Sequence, residues 1–278
     1  MNELNKGQMV SQENERTRKI GDINLESSYW HLLEQQRNAG DRCGEGLTLN
    51  NIGMILRARG QYDEALKYLQ QSLSIQQEID DQQGKSATLN NIATIHHARS
   101  QYDEALICLR QSLAIQQEID DKQGEGTTLN NISQIYQARG DYETALEYLK
   151  RSLSIMQEIG DKQGEGTTLN NISQIYDARG DYETALEYLK RSLSIRQEIG
   201  DSAGLCTTLF NMGHIYLQNE DISNAASSWV TVYRIASKIS LAQALQALAD
   251  LAPRLGLPEG LEGWEILAKQ MDEQQEQS

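Results

Sequence analysis

Pairs of asparagines stand where a catalyst would keep its titratable groups. Asn50-Asn51, Asn90-Asn91, Asn130-Asn131 and Asn170-Asn171 follow one another at intervals of 40 residues, and a worn fifth copy, Phe210-Asn211, keeps the second member. A carboxamide does not titrate; it offers two N–H donors and a carbonyl acceptor together, which suits the backbone of an extended peptide. The residues capable of harder chemistry are dispersed. His31, His96, His97 and His214, like Cys43, Cys108 and Cys206, fall at unrelated places in the repeating pattern, so no zinc set, disulfide framework or nucleophile-and-base pair recurs. Asp41, Asp81, Asp121, Asp161 and Asp201 do recur, but each precedes a helix, where a short carboxylate caps backbone N–H groups and complements the dipole. Gly124-Glu125-Gly126 lies in a helical first turn with no strand before it, which removes a phosphate cradle. The spacing therefore points to recognition by a non-enzyme, with no metal and no cofactor.

The elements that must position these amides are helices. A fixed period of this size marks an array in which each unit buries its apolar face only against its neighbours. In the first unit Leu49, Ile52, Gly53 and Leu56 form one apolar stripe, and Tyr62, Ala65, Leu66, Leu69 and Leu73 form a second. Between them Gly60 supplies the left-handed residue that ends a helix. Gly140 and Gly180 repeat it, and Ser100 and Asn219-Glu220 are poorer substitutes. Loops this short make neighbouring helices antiparallel.

The predicted organisation is a flexible N-terminal arm over 1–20, a capping helix over 21–40, and five units over 41–80, 81–120, 121–160, 161–200 and 201–239. A degenerate capping hairpin over 240–271 and a disordered tail over 272–278 complete it. Units three and four differ only at Gln137 against Asp177 and Met156 against Arg196. Only two prolines, Pro253 and Pro258, both late in the chain, fit an all-α protein.

A net charge of −15 over 278 residues argues against nucleic acid or an anionic membrane as the main partner. No segment approaches the roughly 18 apolar residues of a spanning helix, and residues 1–20 lack a signal-peptide core, so a cytoplasmic location is expected.

These residues resemble the tetratricopeptide repeat family. In unit three its pattern places hold Leu129, Ile132-Ser133, Tyr136, Ala145, Leu149 and Ser152. Departures are the missing Trp, Ser for the last Ala, no Pro at the unit's end, and a longer period. The Leu-Asn-Asn signature is most similar to the extended repeats of kinesin light chain, of LGN/Pins polarity adaptors and of prokaryotic arrays. The resemblance implies a right-handed α-solenoid of antiparallel hairpins, a superhelix whose concave face is built from first helices.

Carried over position by position, it implies a groove lined by Asn51, Asn91, Asn131, Asn171 and Asn211, with Asn130, Asn170, Gln134, Gln174 and His97 beside them. Arg57 and Asp177 are its only fixed charges, and Leu47, Met54, Phe210, His214 and Leu217 lie toward its ends. In the resembling adaptors the second Asn contacts the ligand peptide; stacked asparagines that merely brace one helix against the next remain the alternative. The expected function is a scaffold or adaptor that binds a partner protein or peptide in this groove. The alternative is a regulatory or sensor module acting in trans on a separate effector enzyme of protease or kinase type, in a prokaryotic signalling or defence system. Near-identical repeats also allow self-association through the arm over 1–20.

Overall fold

The computed structural model describes residues 28–276, and the expected arm over 1–20 and the start of the expected capping helix lie outside them. Within these residues every regular element is a helix: α1 over 28–39, then α2 (Arg42–Ala58), α3 (Tyr62–Glu78), α4 (Gln82–Ala98), α5 (Tyr102–Glu118), α6 (Lys122–Ala138), α7 (Tyr142–Glu158), α8 (Lys162–Ala178), α9 (Tyr182–Glu198), α10 (Ser202–Gln218), α11 (Ile222–Ile239), α12 (Ala242–Leu251), a 3-10 turn (Ala252–Leu255) and α13 (Glu262–Glu276). The fold class is an all-α solenoid of antiparallel hairpins. Even-numbered helices from α2 to α10 are the first helices of the units and odd-numbered ones the second. The chain divides into two compact units, one ending at Gly124 and one starting at Glu125.

Helix starts are fixed as the aspartate spacing predicts. The Oδ1 atoms of Asp41, Asp81, Asp121 and Asp161 each accept from the glycine N–H three residues on at 2.9 Å, and that of Asp201 at 2.8 Å. Asp141, Asp181 and Asp221 cap second helices in the same way, with contacts of 3.1, 3.2 and 3.1 Å. Helix ends need a left-handed residue, and at Gly140 and Gly180 φ is 77° and 76°. Ser100 and Glu220 hold φ 59° at the equivalent places, where their Cβ crowds the backbone. Ser100→Gly and Glu220→Gly should each raise stability by about 0.5–1 kcal/mol in denaturant melts; no gain would show that these turns are unstrained.

In the first unit Leu33, Leu49, Ile52, Leu56, Ala65 and Leu69 form a buried core, with Trp30 edge-on to Tyr68 at 5.1 Å. In the second unit one cluster joins Ala145, Leu146 and Leu149 to Ile172 and Ile175, and the next joins Ala185, Leu186 and Leu189 to Met212 and Ile215. The C-terminal elements close over a third cluster built on Trp229 and Trp264, whose rings meet edge-on at 6.1 Å. Trp229 fits because residue 213 is glycine: a Cβ there would stand 2.4 Å from the indole nitrogen. One expectation fails at the end of the chain. Residues 272–276, read as the start of a disordered tail, continue α13, and Arg234 Nη2 holds Asp272 Oδ1 at 2.5 Å while also reaching the Ala268 carbonyl at 3.2 Å.

Candidate functional site

The two asparagines of each pair have separate surroundings. The first sits between its own hairpin and the next first helix. In the first unit Asn50 Oδ1 accepts from Thr88 Oγ1 at 3.1 Å and from Asn91 Nδ2 at 3.0 Å, and Asn90 Nδ2 donates to Ser112 Oγ at 2.6 Å. In the second unit Asn130 Nδ2 reaches Ser152 Oγ at 2.6 Å and Thr168 Oγ1 at 2.8 Å, and its Oδ1 accepts from Asn171 Nδ2 at 3.0 Å. Asn170 Oδ1 accepts from Asn211 Nδ2 at 3.2 Å. Asn130 and Asn170 are only 7% and 4% exposed, so they brace the helices and do not line a surface.

The serines that replace the family's last alanine belong to the same network. Ser72, Ser112, Ser152 and Ser192 are fully buried, and each donates to a first-helix carbonyl, of Gly46, Ser86, Gly126 and Gly166, at 2.7–2.8 Å. An unpaired buried hydroxyl costs about 1–3 kcal/mol, so the Ser and Asn positions support one another.

The second asparagines remain at the surface. Asn51, Asn91, Asn131, Asn171 and Asn211 are half-buried, and Gln134 and Gln174, one turn further on, are exposed. Asn171 and Asn211 each give one N–H to the preceding unit, which fixes the plane of the carboxamide, while among the described residues their Oδ1 atoms accept nothing. A row of oriented acceptors with exposed Gln174 beside it can pair with the N–H groups of an extended chain.

The charged and apolar positions divide between the units. In the first unit Arg57 Nη1 donates to Thr94 Oγ1 at 3.1 Å while its Nε is buried without a partner. His97 lies 6.0 Å from the Tyr102 ring, and burial pushes its imidazole below the usual histidine range. In the second unit Asp177 Oδ1 is likewise buried without a partner. Burial pushes the Asp177 carboxyl up, with His214 opposing that rise. Burial holds the His214 imidazole down, against Asp177, which raises it, and with Arg254, which lowers it further.

Phe210 stands edge-on to His214 at 4.8 Å, and His214 edge-on to Trp229 at 5.3 Å. Leu217 packs against the C-terminal core. Phe210 also lines a cleft of about 210 Å³ with Cys206, Thr207 and Asn211 on one side and Leu241, Gln243, Ala244 and Ala247 on the other. The residues from α12 were not singled out in the sequence because they read only as a cap. The small pair Ala244 and Ala247, three apart on one helical face, was the available signal.

The histidines and cysteines stay apart. His31 pairs with Gln35 at 3.0 Å and His96 with Gln101 at 2.9 Å. No group of metal-ligating side chains forms among the described residues, and no helix there is long and apolar enough to cross a membrane.

The tetratricopeptide repeat profile matches residues 45–118, 124–198 and 178–238. No curated protein sequence matches the chain. Among solved structures it is similar to BtubC (BKLC) from P. vanneervenii, at 20% identity over 79% of this chain and 92% of that one, with a TM-score of 0.66. It is also similar to a Rap protein complexed with competence and sporulation factor, at 20% identity over 95% and 71% of the two chains and a TM-score of 0.68. The apo form of the quorum sensor NprR from B. thuringiensis gives 19% identity over 90% and 71% and a TM-score of 0.65. These likenesses are of fold. With the profile covering most of its length and the hairpins repeating in register, the chain belongs to the tetratricopeptide repeat family.

Proposed function

We propose that the chain is a non-enzymatic interaction scaffold that captures an extended segment of a partner protein on its first-helix face. The observation that carries this reading is the division of labour in the second compact unit. Buried Asn130 and Asn170 hold the helices, and half-buried Asn171 and Asn211 are each clamped through one N–H with the Oδ1 acceptor left for a ligand. Such preorganisation lowers the ordering cost of binding.

The test is a randomised displayed peptide library panned on the wild-type chain, with affinities of the selected peptides measured by calorimetry. Changing Asn131 and Asn171 together to Ala should weaken those peptides at least about tenfold while lowering Tm by only about 2–4 °C per lost bond. Undiminished binding by the double variant would sink the reading.

A second reading, a sensor module acting on a separate effector enzyme, is favoured by the fold-level likeness to the Rap protein and the quorum sensor NprR. It uses the same face, and its mark would be an enzyme whose activity changes when a selected peptide is added.

A further inference from the structure

The carboxylate of Asp177 is the one fixed charge on the first-helix face of the second unit, and it has no protein partner for its buried oxygen. Its place in the repeat says what it faces. Arg57, three units earlier in the pattern, donates to Thr94, 37 residues ahead, and the residue 37 ahead of Asp177 is His214. That imidazole meets Phe210 and Trp229 edge-on, and burial holds it below the usual histidine range, which weakens it as a counter-charge to Asp177. Unit three, which differs from unit four elsewhere only at Met156 against Arg196, has uncharged Gln137 at this place, so the packing of the hairpin does not require an acid.

The cleft lies next along the same helix. Phe210, one turn before His214, touches that ring and lines the cleft wall, and Cys206 and Thr207 are a further turn back. At about 210 Å³ the cleft is smaller than the roughly 300–1,000 Å³ of small-molecule sites, and it matches one apolar side chain. One helical turn rises about 5.4 Å and an extended chain about 3.3 Å per residue, so the Asp177 corner and the cleft lie about two or three peptide residues apart.

Resting on the scaffold reading above, we propose that the second unit selects a peptide with a Lys or Arg side chain against Asp177 and an apolar side chain, two or three residues away, in the Phe210 cleft. The cation completes the unpaired carboxylate, and the apolar residue gives the register. Asp177 thus determines specificity, whereas the asparagine acceptors take any extended backbone.

The experiment is the same displayed library panned in parallel on the wild-type chain, on Asp177→Asn and on Ala244→Trp, which fills the cleft. Wild-type selections should be enriched in a basic residue two or three positions from an apolar one. Asp177→Asn should lose the basic preference and weaken those peptides about 10- to 100-fold, the worth of one charge-assisted hydrogen bond, and Ala244→Trp should lose the apolar preference. Thermal melts confirm that both variants are folded. If either variant unfolds, Asp177→Gln and Ala244→Leu replace them in the same panning.

Binding of the basic peptides should also weaken as pH falls. The ligand cation favours ionised Asp177, so affinity is full above the raised pKa of the free carboxyl and is lost on descent through it. Protonation of His214 on the same descent adds a competing cation beside the fixed charge of Arg254. Peptides that bind without basic enrichment, or an unchanged preference in Asp177→Asn, would overturn the assignment and leave the scaffold intact. A wild-type chain that selects no peptide would overturn both.

Discussion

Replacing Trp264 with alanine should cost about 3–5 kcal/mol and loosen the C-terminal elements before anything else. Its side chain is fully buried, its Nε1 donates to the Leu248 carbonyl at 2.8 Å, and its ring meets Trp229 edge-on. Truncation removes the packing between α11, α12 and α13 and takes from the Leu248 carbonyl one of its two donors, leaving the Ala252 N–H. In a repeat array each unit is stabilised mainly by its neighbours, so the damage should spread inward from the exposed end and fade with distance. Hydrogen exchange should show residues 222–276 losing protection while amides around Ser152 in α7 keep theirs. Uniform loss of protection across both regions would mean that the array unfolds as one block.

The second large effect is expected at Asn130. Asn130→Ala should lower stability by about 3 kcal/mol, whereas Asn171→Ala should cost only about 1 kcal/mol. Asn130 joins Ser152 on its own hairpin, Thr168 on the next first helix and the Asn171 amide, in a nearly fully buried site. Alanine there strands several of these groups together; alanine at half-buried Asn171 removes one bond and lets water in. Urea melts of the two single variants and the double should show coupling near 1 kcal/mol. Equal costs at the two positions would contradict their assignment to bracing and to the surface.

Much of the fold was legible because its causes are local and repeated. Apolar stripes at helical spacing, an aspartate before each first helix and a glycine after three of the five mark out the hairpins from the sequence alone. The division within each asparagine pair was not legible. Asn130 and Asn131 are neighbours of the same type, and what separates them is long-range: Asn130 meets Ser152, 22 residues on, and Thr168, 38 residues on. The serines read as departures from the family pattern when they are part of the polar network that holds the helices together. The cleft beside Phe210 was hidden for a different reason. Half of its wall comes from α12, where the repeat decays and spacing no longer assigns residues to a face. Residues 272–276 read as disorder from their polar composition, whereas they continue α13, and Asp272 is held by the long-range contact from Arg234.

The most direct test of the account follows the side-chain amides themselves. In a heteronuclear NMR titration with a library-selected peptide, the carboxamide resonances of Asn171, Gln174 and Asn211 should shift, and that of buried Asn130 should hold nearly still. Shifts confined to the second helices α7, α9 and α11, with the Asn171, Gln174 and Asn211 signals unmoved, would contradict it.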